Sequence, residues 1–275
     1  MLNITVIIPT HNRADVIGRA LDSVLCQSKQ PKQVIVVDDG STDNTQEFLR
    51  TTYPAITYLK QNNCGVSAAR NSGIRAADCD WIAFLDSDDE WQPDKLSFQM
   101  SQLENNKQFQ FSHTDEIWIR NGRRVNPMKK HLKYGGRIFQ HCLPLCVISP
   151  SSAVINQKIF TDVGLFNETL QVCEDYDLWL RICSRYPVLY TEKKLVIKYG
   201  GHSDQLSKKY WGMDRFRIKA LADIIKAQSL NIEDRNMAIK MLNKKIKIYI
   251  QGAKKHQNCD SVTEFMALLE SYPVI

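Results

Sequence analysis

Strands and helices alternate through the first hundred residues of this chain, which predicts an α/β protein on a Rossmann-like sheet, mixed but mostly parallel and flanked by helices. Two further observations sharpen that expectation. Carboxylates collect just after the second and fourth predicted strands, as Asp38-Asp39 and Asp86-Ser87-Asp88-Asp89. From about Lys208 onward the sequence reads as helix throughout, a C-terminal helical extension.

Each element has its own signal. Ile4-Thr5-Val6-Ile7-Ile8 is a β-branched run stopped by Pro9, hence a strand. From Ala14 to Cys26, apolar residues recur with helical spacing. Val34 to Val37 is fully apolar, as in a parallel strand covered on both faces. Ser41 or Thr42 in the following turn suits the cap of a helix reaching Arg50. Ile56 to Leu59 is a third strand, Ser67 to Ala77 a helix, and Trp81 to Leu85 a fourth strand. Pro93 to Asn105 is a helix with proline in its first turn.

After residue 107 the pattern changes. Glu116 to Arg120 and Arg123 to Asn126 flank Asn121-Gly122, a type I′ hairpin signal. Ser152 to Asn156 is a short strand, and Glu174 to Arg185 a helix with Leu178, Ile182 and Tyr186 on one stripe. Val188 to Tyr190 and Leu195 to Tyr199 are two late strands. The extension holds a helix through Met213, Phe216, Ala220 and Ile224, then one from Ile232 to Gln251 capped by Asn231. A third starts at Ser261, where Ser261-Val262-Thr263-Glu264 has capping-box form.

Composition bounds the function. The 275 residues are 43% hydrophobic and 24% charged, which excludes disordered, collagen-like and coiled-coil chains and allows one sizeable core. The net charge of +6 suits a phosphate-bearing ligand or an anionic membrane and is too mild to imply nucleic acid. The 8 cysteines are scattered without a C-x-x-C pair, so buried free thiols are expected rather than a zinc site. No apolar run approaches the roughly 20 residues of a membrane span, and Met1 to Ile8 lacks a basic leader, so the expected location is cytoplasmic.

In an open α/β sheet, ligands bind beyond the carboxyl ends of the strands, so both acidic clusters are placed on one crevice. A dinucleotide site would need G-x-G-x-x-G after the first strand, where this chain has Pro9-Thr10-His11-Asn12-Arg13. Asp-x-Asp at a strand end offers hard oxygen ligands to Mg²⁺ or Mn²⁺ with positions left for a diphosphate. The competing reading is a solvated acidic turn that caps the next helix.

Taken together, the chain resembles glycosyltransferase family 2, whose members have the GT-A fold. The motifs that carry the resemblance are Ile7 to Arg13, Val37 to Asp43, Asn63 to Asn71, Phe84 to Asp89 and Glu174 to Trp179, in family order over about residues 3 to 205. The resemblance implies transfer of a sugar, with inversion, from a nucleotide diphosphate donor (a UDP-sugar) to a hydroxyl of a glycan or lipid-linked acceptor. Polysaccharide, lipopolysaccharide or glycolipid synthesis is the implied setting. Carried over by position, Pro9, Thr10 and Asn12 lie on the nucleotide, Asp39 accepts from the base, and Asp38 braces the turn. Arg70 reaches the base or diphosphate. Asp86 contacts the ribose of the sugar nucleotide or the metal, Ser87 contacts the sugar nucleotide, and Asp88 ligates Mn²⁺ or Mg²⁺. Asp175 is the implied general base, its other reading being an acid that merely complements a helix N-terminus; Asp177 is structural. His202, in Tyr199-Gly200-Gly201-His202-Ser203, is a metal ligand or diphosphate contact by the same carry-over. Trp91 and Trp179 either stack on sugars or fill the core.

The implied domains are a catalytic unit over 1–207, with a nucleotide half 1–106 and an acceptor half 107–207, and the extension 208–275. In that extension Lys240, Lys244 and Lys247 share one helical face, which suits an anionic leaflet and peripheral membrane attachment; a solvated face and a homodimer surface are the alternatives. Two other functions compete: a catalytically inactive sugar-nucleotide-binding scaffold, and a nucleotidyltransferase, which would want a Gly-rich basic loop where Pro9 to Ala14 stands.

Overall fold

A computed structural model describes residues 3–201, 210–257 and 261–273. Nine strands form one sheet among them: β1 (Ile4–Thr10), β2 (Gln33–Asp39), β3 (Thr57–Gln61), β4 (Trp81–Phe84), β5 (Glu90–Trp91), β6 (Phe111–Arg120), β7 (Arg123–Val125), β8 (Val154–Asn156) and β9 (Leu189–Gly200). Their order is β3-β2-β1-β4-β8-β6-β9-β5, with β7 paired to β6. The first four strands are parallel, and β8 enters antiparallel to β4. The fold is therefore the mixed, mostly parallel α/β sheet that the sequence predicts.

Helices α1 (Ile17–Leu25), α2 (Thr45–Thr52), α3 (Val66–Ala76) and α4 (Lys95–Asn105) follow β1, β2, β3 and β5. Every residue of β1 is buried, because helices cover both faces of the sheet. Gly73 lets α3 lie close on β1: a Cβ there would stand 2.4 Å from Ile7 Cγ2. Helix α2 is capped differently from expectation. Asp43 Oδ1 accepts from the Thr45 N–H at 3.0 Å and from its hydroxyl at 2.6 Å, while Ser41 Oγ accepts from the Asn12 N–H at 2.9 Å. Ser41 is thus spent joining the turns after β1 and β2.

The hairpin forms where Asn121-Gly122 stands, with φ of 49° and 72°, the double positive that a type I′ turn demands. The two late strands are one. In β9, Thr191 pairs with Thr114 and Lys194 with Asp115, so Glu192 and Lys193 bulge outward and the strand resumes. Helices α5 (Phe139–Cys142), α6 (Lys158–Val163) and α7 (Glu174–Cys183) complete this half.

Three helices end the described chain: α8 (Asp214–Lys226), α9 (Ile232–Lys255) and α10 (Val262–Ser271). Asn231 caps α9 through its side chain, which accepts from the Asp234 N–H at 2.8 Å. The capping box at Ser261 does not form; Ser261 is left-handed at φ 59° and its side chain makes no cap bond. These helices share a core with α5 and α7, for Ile224, Leu242, Ile246 and Tyr249 lie in one apolar cluster with Tyr176, Leu180 and Cys142. Lys240, Lys244 and Lys247 are exposed, and Lys245 turns inward to Asp214 at 3.0 Å. No helix among the described residues is long and apolar enough to cross a membrane. Cys26 and Cys64 are exposed, against the expectation of buried thiols, because both sit where elements end rather than on apolar faces. Cys259 lies outside the described residues.

Candidate active site

The parallel strands β1, β2 and β4 deliver their carboxyl ends to an open cleft of about 1360 Å³. Asp38 and Asp39 end β2. The Asp38 carboxylate accepts from the Ser41 N–H at 2.8 Å and the Tyr58 hydroxyl at 2.6 Å, so it does brace the turn. Asp39, on the cleft wall, takes three donors: Gln61 Nε2 at 2.7 Å and the N–H groups of Cys64 at 2.9 Å and Gly65 at 2.8 Å. A carboxylate has about four acceptor sites, so one on Oδ2 stays open. Pro9 and Thr10 line the same wall, and Thr10 Oγ1 is buried without a partner among the described residues. Ser67 Oγ and Arg70 Nε are orphaned in the same way beside it. Buried polar atoms are almost always satisfied, so three orphans on one cleft point to a ligand that completes them. Asn12 is an exposed cleft residue whose Oδ1 is already spent on the Thr42 N–H at 2.8 Å.

The turn after β4 is arranged around cations. Arg70, which the sequence reading directs at the base or diphosphate, is 3% exposed and donates to Asp86 Oδ1 at 2.7 Å and Glu174 Oε1 at 2.6 Å. Lys198 Nζ stands 3.3 Å from Asp89 Oδ2 and 3.9 Å from Asp86 Oδ2. Burial alone would raise the Asp86 carboxyl, but Arg70 and then Lys198 hold it below its usual range. Asp89 is buried, accepts from Ser151 Oγ at 2.6 Å and the Tyr199 N–H at 3.2 Å, and burial pushes it up to about 7. Ser87 is buried beside them on the cleft. Asp88 differs: its carboxylate has no ion-pair or hydrogen-bond partner among the other described residues, and burial followed by the Asp86 charge raises it.

Across the cleft, Cys173 in the left-handed region (φ 63°) starts α7. Glu174 turns inward to Arg70, and burial with the neighbouring Asp175 charge pushes its carboxyl up. Asp175 faces the cleft, with Oδ1 accepting from the Tyr176 N–H at 2.7 Å and Oδ2 from the Cys146 thiol at 3.2 Å. Asp177 points away, to Arg181 at 2.6 Å. Trp91 and Trp179 are core residues, yet their indole N–H groups hold the carbonyls of Ser151 and Ile148 at 2.7 and 2.9 Å and so fix the cleft floor. His202 lies outside the described residues.

Sequence reasoning missed Ser67, Lys198, Cys146 and Glu116. Buried Glu116 on β6 binds Ser149, Lys133 at 3.2 Å and Trp118 Nε1 at 3.0 Å; against burial, Lys133 and Lys198 hold it down at about 2. A lone cation closing the apolar run Leu195-Val196-Ile197-Lys198 was the available signal for Lys198.

Among the described residues no three His, Cys, Asp or Glu side chains converge as a metal site. The donor set still fits a hard divalent cation, which binds through one or two carboxylates and takes its other ligands from water and substrate phosphates. Among the described residues that line the cleft, Asp88 offers the one carboxylate with no partner.

Comparison with known proteins agrees with this geometry. The family described as "Glycosyl transferase family 2" matches residues 5–164. An uncharacterized glycosyltransferase of Rickettsia felis is 32% identical over 218 residues, covering 75% of this chain and 35% of that protein, so the chain spans about a third of that relative's length. Escherichia coli WfaP, named a UDP-Glc:alpha-D-GlcNAc-diphosphoundecaprenol beta-1,3-glucosyltransferase, is 31% identical, covering 66% of this chain and 70% of that one. Among solved structures, S. aureus TarS 1-349 in complex with UDP-GlcNAc superposes with a TM-score of 0.68 at 17% identity, covering 98% of this chain and 92% of the other. The mannosyltransferase PcManGT from Pyrobaculum calidifontis, in complex with GDP-Man and Mn²⁺, gives 0.65 at 16% identity and coverages of 98% and 80%.

Proposed function

Because the chain belongs to glycosyltransferase family 2 and has its GT-A fold, we propose that it transfers a sugar, with inversion, from a nucleotide diphosphate donor to an acceptor hydroxyl in cell-envelope glycan synthesis. The observation that carries this reading is the division of the cleft. Partly satisfied donors and acceptors at Thr10, Asp39, Ser67 and Arg70 line it from β1, β2 and α3, and Asp175 lines it from α7. The donor we favour is a UDP-sugar: the free position on Asp39 Oδ2 suits the N3–H of uracil. A lipid-linked acceptor is the class that the name of WfaP suggests.

The chemistry follows from positions. Thr10, Asp39 and Ser67 hold the nucleoside, and Asp86 and Ser87 sit beside it. Asp175 accepts the acceptor hydroxyl's proton while that oxygen attacks the anomeric carbon from the face opposite the diphosphate. The bond from the anomeric carbon to the diphosphate breaks, and the nucleoside diphosphate leaves with the electron pair. Asp88 would hold Mn²⁺ or Mg²⁺, which when bound neutralises charge on the leaving diphosphate. Peripheral attachment through the exposed Lys240, Lys244 and Lys247 face would bring the cleft to membrane acceptors; each lysine contributes on the order of 1 kcal/mol at an anionic surface.

The deciding experiment is Asp175→Asn. It keeps the shape and the helix start but loses the proton acceptor, so affinity for the donor should be unchanged while transfer slows by about a hundredfold or more. Donors would be screened from a panel of UDP-, GDP- and dTDP-sugars with Mn²⁺. Near-native transfer by the variant would remove Asp175 from the mechanism.

A further inference from the structure

The segment between α5 and β8 is fastened to α7 at two points. The Tyr176 hydroxyl donates to the Leu143 carbonyl at 2.7 Å, and the Trp179 indole donates to the Ile148 carbonyl at 2.9 Å. Both aromatic side chains are buried, so neither fastening frays into water. Cys146 lies between these points and lines the cleft.

Its thiol has two acceptors within reach, Ile148 O at 3.1 Å and Asp175 Oδ2 at 3.2 Å, and one proton to give. The Ile148 carbonyl already accepts from Trp179. Asp175 is a carboxylate, and hydrogen bonds to charged acceptors are the stronger ones. Burial, followed by the Asp175 charge, pushes the thiol well above its ordinary range, so the sulfur keeps its proton as a donor. Asp175 Oδ1 is held separately by the Tyr176 N–H at 2.7 Å. With one bond on each oxygen, the plane of the carboxylate is fixed.

We infer that Cys146 is the positioning residue of Asp175, aiming its carboxylate at the acceptor hydroxyl. The inference rests on the reading of Asp175 as the general base. A thiol suits the task because it is a weak, neutral donor: it orients the carboxylate and leaves most of its basicity in place, where an ammonium would withdraw more.

Two measurements on the full chain test this. The first needs no substrate: the rate at which iodoacetamide alkylates Cys146, followed by peptide mass spectrometry, in the native protein and in Asp175→Asn. Removing the charged acceptor should speed alkylation severalfold, because the thiolate forms more readily. Equal rates would overturn the contact. The second is turnover of the sugar nucleotide that the native protein cleaves from the UDP-, GDP- and dTDP-sugar panel with Mn²⁺. Cys146→Ala should lower kcat by about three- to tenfold with donor KM unchanged, less than the hundredfold that a 1 Å misplacement can cost. Cys146→Ser should restore most of it, which a packing role for sulfur would not predict. Native kcat in Cys146→Ala, beside an inactive Asp175→Asn, overturns the positioning role alone. An active Asp175→Asn overturns the underlying reading of the base, and the positioning role with it.

Discussion

Two acid-rich turns leave the sheet, one at the end of β2 and one at the end of β4, and they neutralise their carboxylates by different means. At β2, Asp38 and Asp39 are met by neutral donors: backbone N–H groups, a phenol and an amide. At β4, Asp86 and Asp89 are met by the cations Arg70 and Lys198, and Asp88 by no partner among the other described residues. Neutral donors fix geometry with little long-range field. Cations balance charge, and each such pair holds only while both members stay. The first turn is thus built as a rigid wall and the second as a charge balance with one open place.

Arg70→Met tests the comparison hardest. It strands Glu174 and leaves Asp86 with Lys198 as its one cation, both carboxylates being largely buried, and should destabilise the fold by about 3–5 kcal/mol in a urea titration. A loss below 1 kcal/mol would show that the second turn does not depend on its cations. Asp39→Ala is next. It leaves the Cys64 and Gly65 N–H groups and the Gln61 amide without their acceptor, for an expected loss of about 1–3 kcal/mol together with weaker UDP binding. Weakened UDP binding with native stability would mean the wall does not need that carboxylate. Asp88→Ala should be smallest in stability, within about 0.5 kcal/mol of native. It removes a carboxyl raised by burial and by Asp86, so any change should be towards greater stability. It should nonetheless abolish the Mn²⁺-dependent part of UDP binding in a thermal-shift titration. Retention of that part would assign the metal to another residue.

Much of the parallel half was legible because strands buried on both faces leave unbroken apolar runs, as in Val34 to Val37, and because their turns carry the acidic motifs. The Asn-Gly hairpin was legible for a similarly local reason. The continuity of β9 was hidden, since Glu192-Lys193-Lys194 reads as a break when the partner strand that absorbs the bulge is not in view. In the site, residue types at the strand ends were readable and their partners were not. Arg70 looks like a cation waiting for an anionic ligand until the fold brings Glu174 to it. Cys146 has no sequence signal, because its place depends on two aromatic fastenings from a helix some thirty residues later.

The Arg70–Glu174 pair also has a bearing on how the chain is made. Its members are 104 residues apart, so a ribosome adding about 5–20 residues per second releases the arginine roughly 5–20 s before its partner. Through that interval the nascent chain carries a guanidinium with one of its two carboxylates missing, and the Arg70 pocket cannot take final shape. A chimera that borrowed residues 1–106 alone would inherit the same deficit permanently. A recipient would have to supply an acid at the place of Glu174 before the borrowed half could settle.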